Sequence, residues 1–322
     1  MTPSWIELGG ALDTEPLAAR PTPSHAVPGT WFSCGRGSLA RVLDLVRPAR
    51  AYLPAWACDT LVEPFAARGV AVARYPIGPD LRPRALPAPT DDALLVVIVP
   101  FGDAGPWLDD LRRAWARRLM VDATQGYPLE GFPDCWTFNS ARKFFGVPDG
   151  SMLWGPEGVD VGAAAEGVER SDAHLRARAE GAPEARALFR RHEATFGPKA
   201  EAPSRASVER LGQLDHQGLA DDRLRRWHEY HRRLAATNTL VLPAQPTAAP
   251  LAYPYLPAKP VRHQALWDVR AWVPVFWPEC EGSPDAFVRE LAGGLLPLPV
   301  DRRTTEAAAA ELCDIVLALQ RR

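Results

Sequence analysis

Between residues 50 and 140 the chain alternates short apolar runs with amphipathic stretches. "AYLPAW", "VAVARYP", "LLVVIVPFG", "RLMVDAT" and "CWTFNS" each end in turn or polar residues. Runs this short, punctuated in this way, read as strands. Between them, "CDTLVEPFAARG" and "WLDDLRRAWARR" carry apolar residues at helical spacing. Upstream, "WFSCGRGSLARVLDLVRPAR" gives a glycine-punctuated turn and then a helix, with Leu39, Val42, Leu43 and Val46 on one stripe. Strands alternating with helices predict an α/β fold, a mainly parallel sheet with helices on both faces. Ligands of such sheets bind beyond the carboxyl ends of the strands. That rule selects Trp56, Gly102, Asp122, Gln125, Ser140 and Lys143, the residues just after the runs.

The pattern changes beyond Gly155. Residues 160–195 are rich in Ala, Glu and Arg and predict surface helices. "RASVERLGQLDHQGLADDRLRRWHEYHRRLAATN" predicts one or two long helices leading into a second lobe. "YPYLPA", "VRAWVPVFWPE" and "LLPLPVD" predict short strands, and "TEAAAAELCDIVLALQRR" a closing helix. Residues 1–30 are proline-rich, keep no period and read as an arm. The expected organisation is an arm over 1–30, a large lobe over 31–200 that carries the site, and a small C-terminal α+β lobe over 201–322.

Composition narrows the function classes. At 322 residues the chain is long enough for two lobes. A formal net charge of −2 argues against a broad electrostatic footprint for nucleic acid or acidic membranes. The five cysteines are scattered, odd in number and never spaced C-x-x-C, which favours reduced thiols over a disulfide frame or a zinc site. No apolar run reaches membrane-spanning length and the N-terminus lacks a signal-peptide pattern, so the expected location is the cytoplasm. His228 and His231 share a helix face without a third clear ligand, so no metal is expected.

Chemistry enters at "CWTFNSARKFFGVPDGSMLWG". Of 37 basic residues only Lys143, Lys199 and Lys259 are lysines. A lysine kept beside Arg142 and two phenylalanines suggests a task that guanidinium cannot perform, because a lysine in an apolar setting can become a neutral nucleophilic amine. Three other features converge on it. Asp122 closes an apolar strand; Arg36, Gly37 and Ser38 lie in a glycine-rich turn before a helix, whose free N–H groups suit an anion; Trp56 stands at another strand end. A solvated lysine, a turn-forming aspartate, an ordinary turn and a core tryptophan are the bland readings of the four. Together they meet the requirements of pyridoxal 5'-phosphate: an amine for the Schiff base, a carboxylate for the pyridine nitrogen, a helix start for the phosphate and a flat side chain for the ring.

"VDATQGYP" followed by "TFNSARKFFGVPDGSML" resembles the DegT/StrS-type sugar aminotransferases, pyridoxal-phosphate enzymes of fold type I in the aspartate aminotransferase-like superfamily. "LPAWACDTLVEPFAARG", "VVIVPFGDAGPWLDDL", "SRASVERLGQLD" and "LLPLPVDRRTTEAAAAEL" are similar to further segments of that family. The resemblance implies that Lys143 bears the cofactor and acts as general base, and that Asp122 faces the pyridine nitrogen. It places Gln125 near the ring's phenolic oxygen, Arg36, Gly37 and Ser38 in the phosphate loop, and Ser140 at a phosphate-contact spacing. It further implies a homodimer that moves an amino group from a small-molecule donor, an amino acid, to a carbonyl acceptor such as a keto-sugar nucleotide. Cys58 stands where the family often carries its stacking aromatic, which leaves Trp56 or a sulfur contact for that task. Pro203 stands near the point where the family has an Asn that reaches a neighbouring subunit. Another pyridoxal-phosphate reaction on an amino acid, of lyase or class V type, and a degenerate binding protein without turnover stay open as alternatives.

Overall fold

The computed structural model describes residues 7–18 and 29–321; the rest of the arm expected over 1–30 lies outside the described residues. The first half of the chain forms β1 (Leu8–Gly9), β2 (Thr30–Phe32), α1 (Gly35–Val46), β3 (Arg50–Pro54), α2 (Asp59–Ala66), β4 (Ala71–Tyr75) and β5 (Ala93–Ile98). It continues through α3 (Trp107–Trp115), β6 (Leu119–Asp122), β7 (Gly126–Tyr127), β8 (Trp136–Phe138) and β9 (Ser151–Trp154). Then come the helices α4 (Ala173–Ala179), α5 (Ala185–Glu193), α6 (Arg205–Leu211) and α7 (His216–Leu234). The chain closes with β10 (Ala249–Pro250), β11 (Ala252–Tyr255), α8 (His263–Trp267), β12 (Ala271–Trp272), α9 (Ala286–Gly294), β13 (Leu296–Pro299) and α10 (Glu306–Gln320).

Seven strands join in the order β2-β9-β8-β6-β5-β3-β4, and β9 alone runs against the others. Every residue of β5 is buried, which is why its sequence is an unbroken apolar run: a parallel strand near the middle of the sheet has no face for water. The stripe on α1 buries Leu39, Val42 and Leu43 as its spacing predicts. Each such leucine contributes about 1.5–3 kcal/mol relative to an exposed position. The result is the α/β architecture expected from the alternation.

The helical reading of residues 160–195 is corrected in part. Helices begin only at Ala173; before it, Ala165 forms a parallel bridge with Glu201, its N–H donating to the Ala200 carbonyl at 2.9 Å while Ala202 donates back at 2.8 Å. Gly167 sits so close to this partner that a Cβ would lie 2.0 Å from the Ala202 oxygen. Tertiary pairing with a segment 36 residues downstream overrides the local helix propensity of Ala and Glu here.

Two connections bring the later chain to the carboxyl ends of the strands. After β5, Phe101 and Gly102 turn with φ of 47° and 86°, and the Gly102 carbonyl accepts from Ala248 N–H at 3.0 Å. A Cβ on Gly102 would meet the Ala248 oxygen at 2.3 Å, so the close approach requires glycine. Next to it, β10 pairs antiparallel with β7, and Leu251 N–H donates to the Gln125 carbonyl at 2.9 Å.

Candidate active site

Strands β6 and β8 are neighbours, with Asp122 opposite Phe138 in the register. Their ends therefore deliver Asp122 and the Lys143 turn to one place. The chain leaves β8 through Asn139 and Ser140 into a single helical turn, Ala141–Lys143, closed by Lys143 N–H donating to the Ser140 carbonyl at 3.1 Å. Lys143 is half-buried, and its Nζ donates to Thr124 Oγ1 at 3.1 Å. Thr124 N–H in turn donates to Asp122 Oδ1 at 2.9 Å. Lys143 and Asp122 are thus linked through Thr124, one by its hydroxyl and the other by its backbone N–H.

Burial pushes the Asp122 carboxyl above its ordinary value; the Lys143 charge and the hydrogen bonds from Thr124 pull it back in part. At 5% exposure the carboxylate is held away from water, so a cationic or N–H partner arriving from a ligand is strongly favoured there.

The start of α1 borders this chain. A Cβ on Gly35 would lie 2.9 Å from the Phe138 ring and 3.7 Å from Thr124 Cγ2, which places the helix N-terminus beside Thr124. The N–H groups of Gly37 and Ser38 already donate to the Cys34 carbonyl, at 3.0 and 3.1 Å. The Arg36 guanidinium leaves the turn to pair with Glu63 at 2.9 Å.

The remaining expected residues are placed less uniformly. Gln125 Oε1 accepts the Phe101 N–H at 3.1 Å, so this side chain secures the strained turn after β5 and keeps only its NH2 group for other contacts. Ser140 is buried and caps the Lys143 turn. Gly37 faces the Lys199 carbonyl, which a Cβ would approach to 2.7 Å. Ser38, expected in the anion-binding turn, faces the sheet: its hydroxyl is fully buried and bonds Ser151 Oγ at 2.8 Å. Trp56, expected to lie flat over a cofactor ring, is 1% exposed and packs on Trp277 with ring centroids 4.6 Å apart.

Several residues were not singled out from sequence. Thr124 lies inside the quoted "VDATQGYP" but a lone threonine carries no signal. Arg142 forks onto Glu193 with contacts of 2.5 and 3.1 Å and lies over the Phe196 ring at 4.6 Å, anchoring the lysine turn to α5. Behind Lys143, Phe144 and Phe145 pack on Tyr127, whose hydroxyl meets His216 Nδ1 at 2.9 Å. The other imidazole nitrogen lies 2.8 Å from the Leu211 carbonyl, which can only accept, so Nδ1 accepts from Tyr127 in the neutral ring that burial favours. Arg223 lies over the Phe144 ring at 4.8 Å.

No protein-family model matches the sequence, and no curated protein is similar to it at a significant level. Solved structures are. A DegT DnrJ EryC1 StrS aminotransferase from Brucella abortus superposes with a TM-score of 0.60 at 14% identity, covering 91% of this chain and 86% of that one. The sugar aminotransferase CalS13 from Micromonospora echinospora gives 0.59 at 15% identity, covering 90% and 86%. NtdA from Bacillus subtilis, solved with bound cofactor PMP, gives 0.62 at 12% identity, covering 93% and 74%. The likeness runs through nearly the whole chain, and it shows that this protein has the fold of those aminotransferases.

Proposed function

We propose that the chain is a pyridoxal-phosphate-dependent aminotransferase that moves an amino group from an amino acid to a keto-sugar nucleotide. The observation that carries the reading is the Lys143–Thr124–Asp122 chain at the N-terminus of α1. It combines a primary amine, a buried carboxylate whose charge burial opposes, and a helix start, the donor set that this cofactor needs. The fold likeness, and the sugar substrates and bound PMP of the similar structures, support the same choice.

When bound, pyridoxal phosphate supplies an aldehyde that condenses with amines and a ring that accepts an electron pair. Lys143 Nζ would hold it covalently and would move the proton at the substrate carbon as general base. Thr124 Oγ1 orients that amine between turnovers. Asp122 would balance a protonated ring nitrogen, and the start of α1 would receive the phosphate. Gln125, Ser140, Arg36, Gly37 and Trp56 belong to the same reading as further cofactor-binding residues. A homodimer, a cytoplasmic location, and a division into a large lobe over 31–200 and a small one over 201–322 belong to the same reading.

Titration of the purified chain with pyridoxal phosphate should produce a visible absorbance band, and borohydride should fix the label on the Lys143 peptide. Glutamate should bleach the band and a keto-sugar nucleotide should restore it. Restoration by 2-oxo acids alone would replace the sugar acceptor with an amino-acid one. A chain that never develops the band is not an enzyme of this class.

A further inference from the structure

An arginine on a helix ordinarily ends in water or against a carboxylate. Arg223, on α7, does neither: it is 2% exposed and its guanidinium donates to backbone carbonyls. Nη1 donates to the Pro250 oxygen at 3.1 Å and to the Leu251 oxygen at 3.2 Å, and Nη2 donates to the Phe144 oxygen at 3.4 Å. The nearby acids are engaged elsewhere, Glu15 with Arg302 at 2.6 Å and Asp301 with Arg303 at 2.8 Å. Burial pulls the Arg223 pKa down to about 10, so the group is still a cation at neutral pH. A buried charge without a carboxylate partner is costly.

The three carbonyls belong to two segments. Pro250 pairs with Gly126 across the β10–β7 ladder and Leu251 is bonded to Gln125, so both move with the Asp122–Gln125 loop. Phe144 is the residue after Lys143. The tips of these same segments meet in the contact from Lys143 Nζ to Thr124 Oγ1. We infer that Arg223 is a positioning residue for Lys143, its planar fork setting the spacing between the lysine turn and the Asp122–Gln125 loop. A lysine at 223 could reach one carbonyl or two but cannot present a rigid fork to both segments. The consequence for turnover rests on the proposed function; the consequence for Lys143 itself does not.

A cavity of about 310 Å³ borders the guanidinium, lined by Glu15, Phe144, Phe145, Leu214 and Asp301 among others, and reaches the surface at Leu17, which is 64% exposed. A small guanidinium from solution can therefore enter the space that a shortened side chain leaves.

The chain's three lysines supply the test. Cofactor-free protein is labelled with a limiting amine-reactive reagent, and Lys143 is read against Lys199 and Lys259, which are both exposed. Arg223→Ala and Arg223→Lys should change the Lys143 share of the label while leaving the ratio of the other two unaltered. Ethylguanidinium should return the Arg223→Ala pattern toward that of the parent. With pyridoxal phosphate bound, the visible band should shift or weaken, and the glutamate half-reaction should slow by about 100-fold, the effect of a roughly 1 Å misplacement. If Arg223→Ala does not fold, Arg223→Lys decides alone. An unchanged Lys143 share in a folded variant overturns the inference. A parent chain that takes no cofactor, with the labelling shift present, overturns the proposed function and leaves the positioning role standing.

Discussion

Replacing Asp122 with Asn separates what the carboxylate does for the fold from what it does for the chemistry. The change is nearly isosteric and keeps an oxygen to accept the Thr124 N–H, now 2.9 Å from Oδ1. It removes the charge and turns the second oxygen into an NH2 donor, as protonation turns it into an O–H donor. Burial raises the Asp122 pKa above 3.8, and Lys143 and Thr124 offset that without cancelling it. A carboxyl whose folded pKa is raised favours the folded state in its protonated form. Its contribution is fully present below the unfolded pKa and is lost as pH rises through the folded one. Asparagine resembles the protonated form at every pH. Cofactor-free Asp122→Asn should therefore melt higher than the parent at neutral pH, and the two should converge below pH 3.8, leaving aside any general acid unfolding.

Activity should move the other way. With no charge opposite the ring nitrogen, the half-reaction with glutamate should slow by about 10²–10³-fold, or about 2.7–4 kcal/mol, the loss typical of one preorganised electrostatic group. Melting curves from pH 3 to 8 on the empty protein, and stopped-flow bleaching of the visible band by glutamate, read the two effects independently. A variant that melts lower than the parent at neutral pH would refute the electrostatic account of the empty site. Near-parental bleaching would show that the reaction does not depend on a protonated ring.

Three further perturbations follow from the same geometry. Lys143→Arg should fold normally yet give no visible band and no borohydride-fixed label, because guanidinium does not condense; label appearing on Lys199 or Lys259 in the parent would displace Lys143 from its role. Gly35→Ala forces a Cβ to within 2.9 Å of the Phe138 ring, so it should cost about 1–3 kcal/mol in a denaturant titration and weaken pyridoxal phosphate binding through Thr124. Ser38→Ala removes a buried hydroxyl contact with Ser151 and should cost about 1 kcal/mol of stability while pyridoxal phosphate titrates as in the parent. A large loss of cofactor affinity in Ser38→Ala would return that hydroxyl to the phosphate site.

Much of the fold was legible because its information is local. The β5 run is apolar throughout and buried throughout, and the stripe on α1 faces the core as its spacing demands. The centre of the candidate site was legible for a related reason. Asp122 and Lys143 stand 21 residues apart at the ends of two strands that are neighbours in the sheet, so a rule about strand ends finds both. What local pattern cannot supply is the face that each side chain presents. Ser38 was expected to serve an anion because it follows glycines before a helix. Which side of the first turn meets the sheet depends on β9, the one reversed strand, whose Ser151 takes up the hydroxyl. Trp56 lies at a strand end as expected, but Trp277, more than 200 residues away, covers it.

Arg223 shows the limit most sharply. In "ADDRLRRWHEYHRRL" it is one of several arginines on a polar-looking helix, and nothing in the spelling separates it from Arg225 or Arg226. Arg225 pairs with Asp222 on the surface, where such a pair contributes little. Arg226 donates to the Thr304 carbonyl at 2.6 Å, beyond the site. Arg223 alone turns inward, and its partners are carbonyls, which every residue possesses. A side chain that recognises backbone leaves no complementary residue type for sequence reasoning to find. The acid and the amine of a site announce themselves by chemistry, whereas the groups that hold them apart are visible only once the chain has folded.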